Sequence, residues 1–131
     1  MSVGVVDKQT GDRIPTAGMP YMPNYSTTEQ KTGEKWIDGN DIYFKSVDIG
    51  ALPNRTYKDV QTGITNVKDI CKIEGISTNG TIYVNIPHEA NIASYGIELF
   101  FDKQNNMVRV ATSEDQSSYT GIVTLYYTKT V

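Results

Sequence analysis

The sequence contains a single cysteine and a single histidine, and each scarcity excludes a class of protein. Cys71 alone cannot form a disulfide within the chain or supply a multi-cysteine zinc site. Because Cys71 lies inside an apolar run, we predict a small core residue rather than a reactive thiol. With His88 as the one imidazole, a Ser-His-Asp or Cys-His catalytic arrangement is nearly impossible to build. We predict a solvated or loop-bonded histidine, with a pH switch or metal ligand as the alternative.

Basic residues and long apolar runs are also scarce. The 12 Lys and Arg residues are spread singly along the chain. They are outnumbered by 15 Asp and Glu residues, which gives a net charge of −3. No basic stripe of the kind that binds nucleic acid is visible. No apolar run approaches 18 residues, so we predict no insertion into a membrane. The first four residues lack the layout of a signal peptide, so export is expected by another route, such as release on lysis.

What the sequence does contain is an alternation of strand and turn signals from residue 25 onward. No 11-residue window carries the apolar stripe of a helix. Asp38-Gly39 and Asn79-Gly80 separate β-prone runs, and the second pair is the strongest two-residue hairpin signal, because glycine accepts the positive φ of tight turns. The sequence therefore predicts an all-β fold, an antiparallel, jelly-roll-like β-sandwich. The predicted strands are 25–30, 34–37, 42–50, 56–61, 68–77, 81–86, 96–102, 107–112 and 119–129.

The chain divides into an arm, residues 1–24, and a sandwich domain, residues 25–131. Pro15, Pro20 and Pro23 fall within nine positions, which forbids a helix and interrupts any strand ladder. We predict an extended N-terminal arm. It is either a flexible leader or an arm that wraps a neighbouring subunit.

Alternation also predicts which side chains face the core. Two runs, Ile42-Tyr43-Phe44 and Leu99-Phe100-Phe101, place bulky apolar groups on both faces of a strand. The outward members require covering by loops or by another copy of the chain. We predict subunit contacts at Tyr43, Phe44 and Phe100. The predicted core comprises Cys71, Ile73, Ile82, Val84, Ile86, Ile97, Leu99, Phe101, Val108, Val110, Val123, Leu125 and Tyr127.

Three segments resemble a module of tailed-bacteriophage virion proteins: YSTTEQKTGEKWIDGNDIYFKSVDIGALPN at 25–54, GITNV at 63–67, and SSYTGIVTLYYTKT at 117–130. The module occurs in tail fibres, tail appendages and other host-facing components. The resemblance covers residues 25–131 and implies an all-β module, commonly a homotrimer, that contacts other virion proteins or host surface polysaccharide. It implies location in the virion, after assembly in the bacterial cytoplasm. The resemblance implies no set of catalytic residues. It is compatible with a small appendage protein and with a fragment of a longer fibre.

Candidate ligand residues lie at loop edges and tips, where a rigid sandwich commonly carries binding. Trp36 can stack on a sugar ring with Asp38 as a hydrogen-bonding neighbour, although packing on the sheet or at a subunit contact is the alternative. The other candidates fall in the loops around residues 54–55, 89–95 and 113–119. They are Asn54, Arg55, Tyr95 and Tyr119.

No catalytic or metal site is expected. The oxygen-rich turn at 38–41 lacks the ligand series of a calcium loop. Adjacent Glu114 and Asp115 are expected to be solvated rather than to act as an acid–base pair. We therefore predict a non-enzymatic phage virion structural protein of tail-fibre or appendage type, without cofactors, that displays a glycan-binding face as a homotrimer. The alternatives are a monomeric carbohydrate-binding module of a secreted or lytic enzyme, and a glycan hydrolase.

Overall fold

The structure, a computed structural model, describes residues 25–88 and 96–130. Within these two ranges every regular element is a strand, and no helix is present that could cross a membrane. The predicted arm, residues 1–24, and the loop at 89–95 lie outside the described residues. The strands are β1 (Gln30–Lys35), β2 (Asp41–Ala51), β3 (Tyr57–Gln61), β4 (Val67–Thr78), β5 (Tyr83–Ile86), β6 (Ile97–Asp102), β7 (Met107–Thr112) and β8 (Thr120–Lys129).

The strands form two antiparallel sheets that pack face to face as a β-sandwich, as the sequence predicted. The large sheet has the order β1-β2-β8-β4-β5, and the small sheet has the order β3-β7-β6. Consecutive strands β2, β3 and β4 alternate between the sheets. The fold is jelly-roll-like because early strands pair with late strands: β2 pairs with β8 in the large sheet, and β3 pairs with β7 in the small sheet.

Seven predicted strands agree with the structure to within two residues at each end, and the N-terminal pair does not. The predicted strands 25–30 and 34–37 are replaced by β1 alone, which turns into β2 through residues 36–40. The Asn79-Gly80 turn is also wider than the predicted two residues. The amide of Asn79 donates to the carbonyl of Ile82 at 3.3 Å, so four residues separate β4 from β5.

The core lies between the sheets and draws on both of them. Val108 and Val110 of the small sheet face Val123, Leu125 and Tyr127 of the large sheet, and all five are fully buried. These were predicted from alternation, which is confirmed here. Ile86 and Ile97 are also buried, and Ile73, Val84, Leu99 and Phe101 pack against the core cluster.

Two predicted core positions are wrong. A register shift in β4 places Ile70 opposite Tyr127 and Lys72 opposite Tyr126, so the strand carries a bulge. The bulge directs Ile70 and Ile73 to the core and leaves Cys71 half-buried outside it. That partial burial raises the pKa of the Cys71 thiol.

Ile82 is the second correction, because it lies exposed in the turn just before β5 rather than buried beside Val84. Its amide donates to the side-chain oxygen of Asn79 at 2.8 Å. This bond holds Ile82 in the turn, so the alternation of exposed and buried side chains begins only at Tyr83.

Candidate functional site

Two loops at one end of the sandwich are joined through hydrogen bonds to backbone carbonyl groups. The carbonyl of Pro53 accepts from the Thr112 hydroxyl at 2.8 Å and from the Gln116 amide at 3.2 Å. Asn54 and Asp115 form an isolated antiparallel bridge. Residues 52–56 and 113–119 therefore form one rigid end, and we call it the loop end.

The loop end contains a groove of about 520 Å³. Arg55, Glu114 and Tyr119 line it, and Tyr119 immediately precedes β8. Tyr119 also packs against the core cluster, which holds its ring in place while part of it remains exposed. Further lining comes from Ile82, Val84, His88, Ile97, Asp115 and Gln116.

The charged groups of the groove are loosely paired and accessible. A guanidinium nitrogen of Arg55 lies 3.4 Å from a carboxylate oxygen of Glu114, and both side chains are exposed. Exposed pairs of this kind contribute little stability, so both groups are available to a hydroxyl-rich ligand. Asp115 accepts from the hydroxyl and the amide of Ser117, and these bonds lower the pKa of its carboxyl group.

Arg55 has an unusual backbone conformation. Its φ is 55°, in the left-handed region that side chains other than those of Asn, Asp and Gly rarely occupy. Its amide donates to the carbonyl of Glu114 at 3.3 Å, which ties this conformation to the opposite loop. The loop junction thus orients the Arg55 side chain at a cost in backbone energy.

The structure brings together some of the predicted ligand residues and separates others. Arg55 and Tyr119 line the groove of the loop end, Asn54 lies in the backbone bridge to Asp115, and Tyr95 lies outside the described residues. Trp36 and Asp38 occupy the turn between β1 and β2, at the other end of β2. A strand of 11 residues is roughly 33 Å long. One small ligand therefore cannot contact both groups.

At the β1–β2 turn, Asp38 has a structural role. Its carboxylate accepts from the amide of Asn40 and from Lys68 of β4, both at 3.0 Å. These contacts, the amide of Asn40 first, lower the pKa of Asp38. Trp36 is half-buried and exchanges backbone hydrogen bonds with Asn40 and Gly39, which has a φ of 86°.

The three predicted subunit contacts differ in how far the chain itself covers them. Phe44 is only 4% exposed, because the ring of Tyr126 stacks on it at 5.8 Å and Tyr25 packs edge-on at 5.5 Å. Tyr43 points to the opposite side and stacks on Tyr127 at 6.1 Å. The chain itself covers both residues, so the reason for expecting a second copy over them is removed. Phe100 remains 46% exposed on the outer face of the small sheet.

Sequence reasoning missed the surroundings of Phe100. The guanidinium carbon of Arg109 lies 3.8 Å from the ring centre of Tyr57 and 5.6 Å from that of Phe100. Asp59 accepts two hydrogen bonds from the same guanidinium. We call Tyr57, Arg109 and Phe100 the aromatic–arginine row. Alternation places each residue outward on its own strand, but only the pairing of β3, β7 and β6 aligns them.

Among the residues that the structure describes, no three His, Cys, Asp or Glu side chains are grouped so that they could hold a metal ion. Of the two adjacent carboxylates that line the groove, Glu114 pairs with Arg55, and Asp115 accepts a hydrogen bond from Ser117. No protein-family model, curated protein or solved structure matches this chain.

Proposed function

We propose that this protein is a non-enzymatic attachment module that binds a surface glycan in the groove at the loop end. The observation that carries this proposal is the convergence of Arg55, Glu114 and Tyr119 on one rigid groove. A partly exposed aromatic ring beside a few convergent polar groups is the usual composition of a ligand site. The charges of Arg55 and Glu114 offset each other, and Asp115 adds a negative charge to the lining, so the groove favours neutral, hydroxyl-rich sugars over anionic ones.

The wider role that we propose is that of a structural protein of a tailed-bacteriophage virion, in a tail fibre or appendage. The resemblance of residues 25–131 to such modules supports this role, and so does an all-β body. In that setting the loop end would face the host polysaccharide, and other surfaces would contact other virion proteins.

A homotrimer is part of the same proposal, and we place a subunit contact at the aromatic–arginine row. Tyr57 is 53% exposed and Phe100 is 46% exposed, on either side of Arg109. Tyrosine, phenylalanine and arginine are enriched in protein interfaces, where they carry much of the binding energy. The solvent-exposed face of a β-sheet normally carries polar side chains at such positions.

Glycan binding is tested with an array of bacterial surface polysaccharides, followed by titration of any sugar that binds. Tyr119→Ala and Arg55→Gly are each expected to weaken binding by about tenfold or more. Trp36→Ala is the matched control, because Trp36 lies at the opposite end of β2, and we expect it to leave the affinity unchanged. Binding that survives both groove variants, or that is lost only in Trp36→Ala, overturns the assignment of the groove.

Oligomeric state is tested by light scattering on the full chain. We expect a mass of three chains, and a single-chain mass for Phe100→Ser if the row is a contact. Ile37→Ser is the control, because Ile37, on the β1–β2 turn, is the most exposed large apolar residue among those that the structure describes. A single-chain mass for the unaltered protein contradicts the homotrimer. It favours the second candidate, a monomeric carbohydrate-binding module, which is compatible with a groove whose described lining comes from one chain.

A further inference from the structure

A second cavity adjoins the groove of the loop end. Its volume is about 740 Å³, larger than that of the groove, and we call it the β6 cavity because Ile97–Phe100 of β6 line it. Ligand sites in proteins usually have volumes of roughly 300–1,000 Å³. The groove and the β6 cavity are therefore each large enough to hold part of a ligand.

Two separate segments of the chain pass from one cavity to the other. His88 and Ile97 line both cavities, and their backbones form an isolated antiparallel bridge with hydrogen bonds of 2.9 and 2.8 Å. On the second segment, Thr112 and Ser113 line the β6 cavity, and the next residue, Glu114, lines the groove. The two cavities are therefore neighbouring parts of one surface.

The boundary between the cavities is rigid. The amide of Thr112 donates to the carbonyl of Thr56 at 2.9 Å, and its hydroxyl donates to the carbonyl of Pro53 at 2.8 Å. These bonds belong to the same junction that fixes the two loops of the loop end. Because the surface is already ordered, a ligand that spans it loses little affinity to the ordering of side chains and loops.

The β6 cavity combines polar and apolar groups in the way that sugar recognition requires. The carboxylate of Glu98 is exposed, and the ring of Phe100, two positions along the same face of β6, is 46% exposed. Ala111 lies directly opposite Glu98 in the strand register, and its small side chain leaves space beside the carboxylate. A hydroxyl acceptor beside an exposed aromatic ring suits a sugar, which has both polar edges and apolar faces.

The two cavities also favour the same charge in a ligand. Among the described residues that line the β6 cavity, Glu98 is acidic and none is a lysine or an arginine. In the groove, Glu114 and Asp115 outnumber Arg55. Like charges placed together weaken binding, so both cavities disfavour phosphorylated, sulfated or uronic sugars.

We propose that the β6 cavity is a second subsite for the glycan, and that the ligand is a linear, non-anionic oligosaccharide. Its chain runs from the groove of the loop end, across the bridge of His88 with Ile97, to Glu98 and Phe100. This inference rests on the proposed glycan-binding function and adds the length of chain that the protein recognises. Once the groove holds one part of the chain, the contacts in the β6 cavity form within the same complex and raise the affinity.

Oligosaccharides of graded length test the second subsite in the full chain. The array polysaccharide that binds is partly hydrolysed, and fragments of two to six sugars are titrated by calorimetry. We expect the affinity to rise by about tenfold or more from the shortest fragment to the longest. The rise is expected to disappear in Glu98→Ala, which removes the carboxylate, and in Ala111→Phe, which fills the space beside it.

The disaccharide serves as an internal control, because an unchanged affinity for it shows that each variant is folded and that its groove is intact. Gln61→Ala, at an exposed position of β3 in the same sheet, is the matched control variant and is expected to keep the full dependence on length. Light scattering on Glu98→Ala and Ala111→Phe is expected to give the mass of the unaltered protein, which separates loss of the subsite from loss of a subunit contact.

Two negative results are distinguishable. If fragments bind and Tyr119→Ala weakens the binding of every length, but the affinity does not depend on length or the dependence persists in either Glu98→Ala or Ala111→Phe, the second subsite is overturned and the groove assignment stands. If no polysaccharide on the array binds, the proposed glycan-binding function is overturned and the second subsite with it.

Discussion

The guanidinium group of Arg109 donates two parallel hydrogen bonds to the carboxylate of Asp59, at 2.7 and 2.9 Å. The pair joins β3 to β7 at directly opposed positions in the small sheet. Its two-point geometry is the strongest form of the Arg–carboxylate contact. It holds Arg109 against the ring of Tyr57 and holds the pKa of Asp59 below its usual range.

Stability is expected to fall in acid, in part through this pair. The pKa of Asp59 is lower in the folded chain than in the unfolded one, so the stabilisation is present above the unfolded value, about 3.9, and is lost as the pH falls through the folded value. We expect the free energy of unfolding, measured with urea, to decline below about pH 4.

Asp59→Asn separates this contribution from those of the other carboxyl groups. The variant is expected to be less stable at pH 7 and to lose less stability between pH 5 and pH 3. Some acid dependence should remain, because hydrogen bonds from Asn105 and Ser117 lower the pKa values of Asp102 and Asp115. An unchanged pH dependence in Asp59→Asn would contradict this assignment.

Leu125→Ala is expected to destabilise the fold by about 2–5 kcal/mol, because it removes a fully buried side chain from the centre of the core. Chemical denaturation measures the change. Ile37→Ala is the control, since Ile37 is 91% exposed, and it should shift stability by no more than about 0.5 kcal/mol. Similar losses in the two variants would show that the core is misassigned.

Arg55→Gly and Arg55→Ala are expected to differ in stability although both remove the guanidinium. At a φ of 55°, glycine is unstrained and alanine is not, so Arg55→Gly should be more stable than Arg55→Ala by about 0.5–1 kcal/mol. Thermal melts compare the two proteins, and glycan titration should show the same loss of affinity in both. Equal melting temperatures would mean that residue 55 does not hold the left-handed conformation.

Gly75→Ala is expected to destabilise the fold by about 1–3 kcal/mol through overpacking. A Cβ atom there would lie 2.7 Å from the carbonyl oxygen of Ile122 and 3.0 Å from a methyl group of Val123. Asp69→Ala, at an exposed position on the same strand, is the control and should have little effect. Urea midpoints distinguish the two, and a neutral Gly75→Ala would indicate that β4 and β8 are less closely apposed than described.

Much of the fold follows from local pattern. The alternation of Val108 with Val110, and of Val123 with Leu125, identified buried faces that the structure confirms. Cys71 shows where this reasoning fails, because one extra residue in β4 shifts the alternating pattern and no local signal marks the bulge. Part of the candidate groove could be predicted in the same way. Turn signals indicated that Arg55 and Tyr119 lie in loops, but they did not indicate that the two residues line one groove.

Taken alone, the sequence determined that the described body is built of strands and where most of these strands begin and end. It also determined which side of several strands faces the core, because the pleat of a single strand sets a period of two. Only the tertiary structure decided which strands pair, since a pair such as Tyr43 with Tyr127 joins residues 84 positions apart and depends on burial across the whole domain. The tertiary structure placed Tyr119 and Arg55 in one groove, separated Trp36 from both, buried Phe44 under Tyr25, and aligned Tyr57, Arg109 and Phe100.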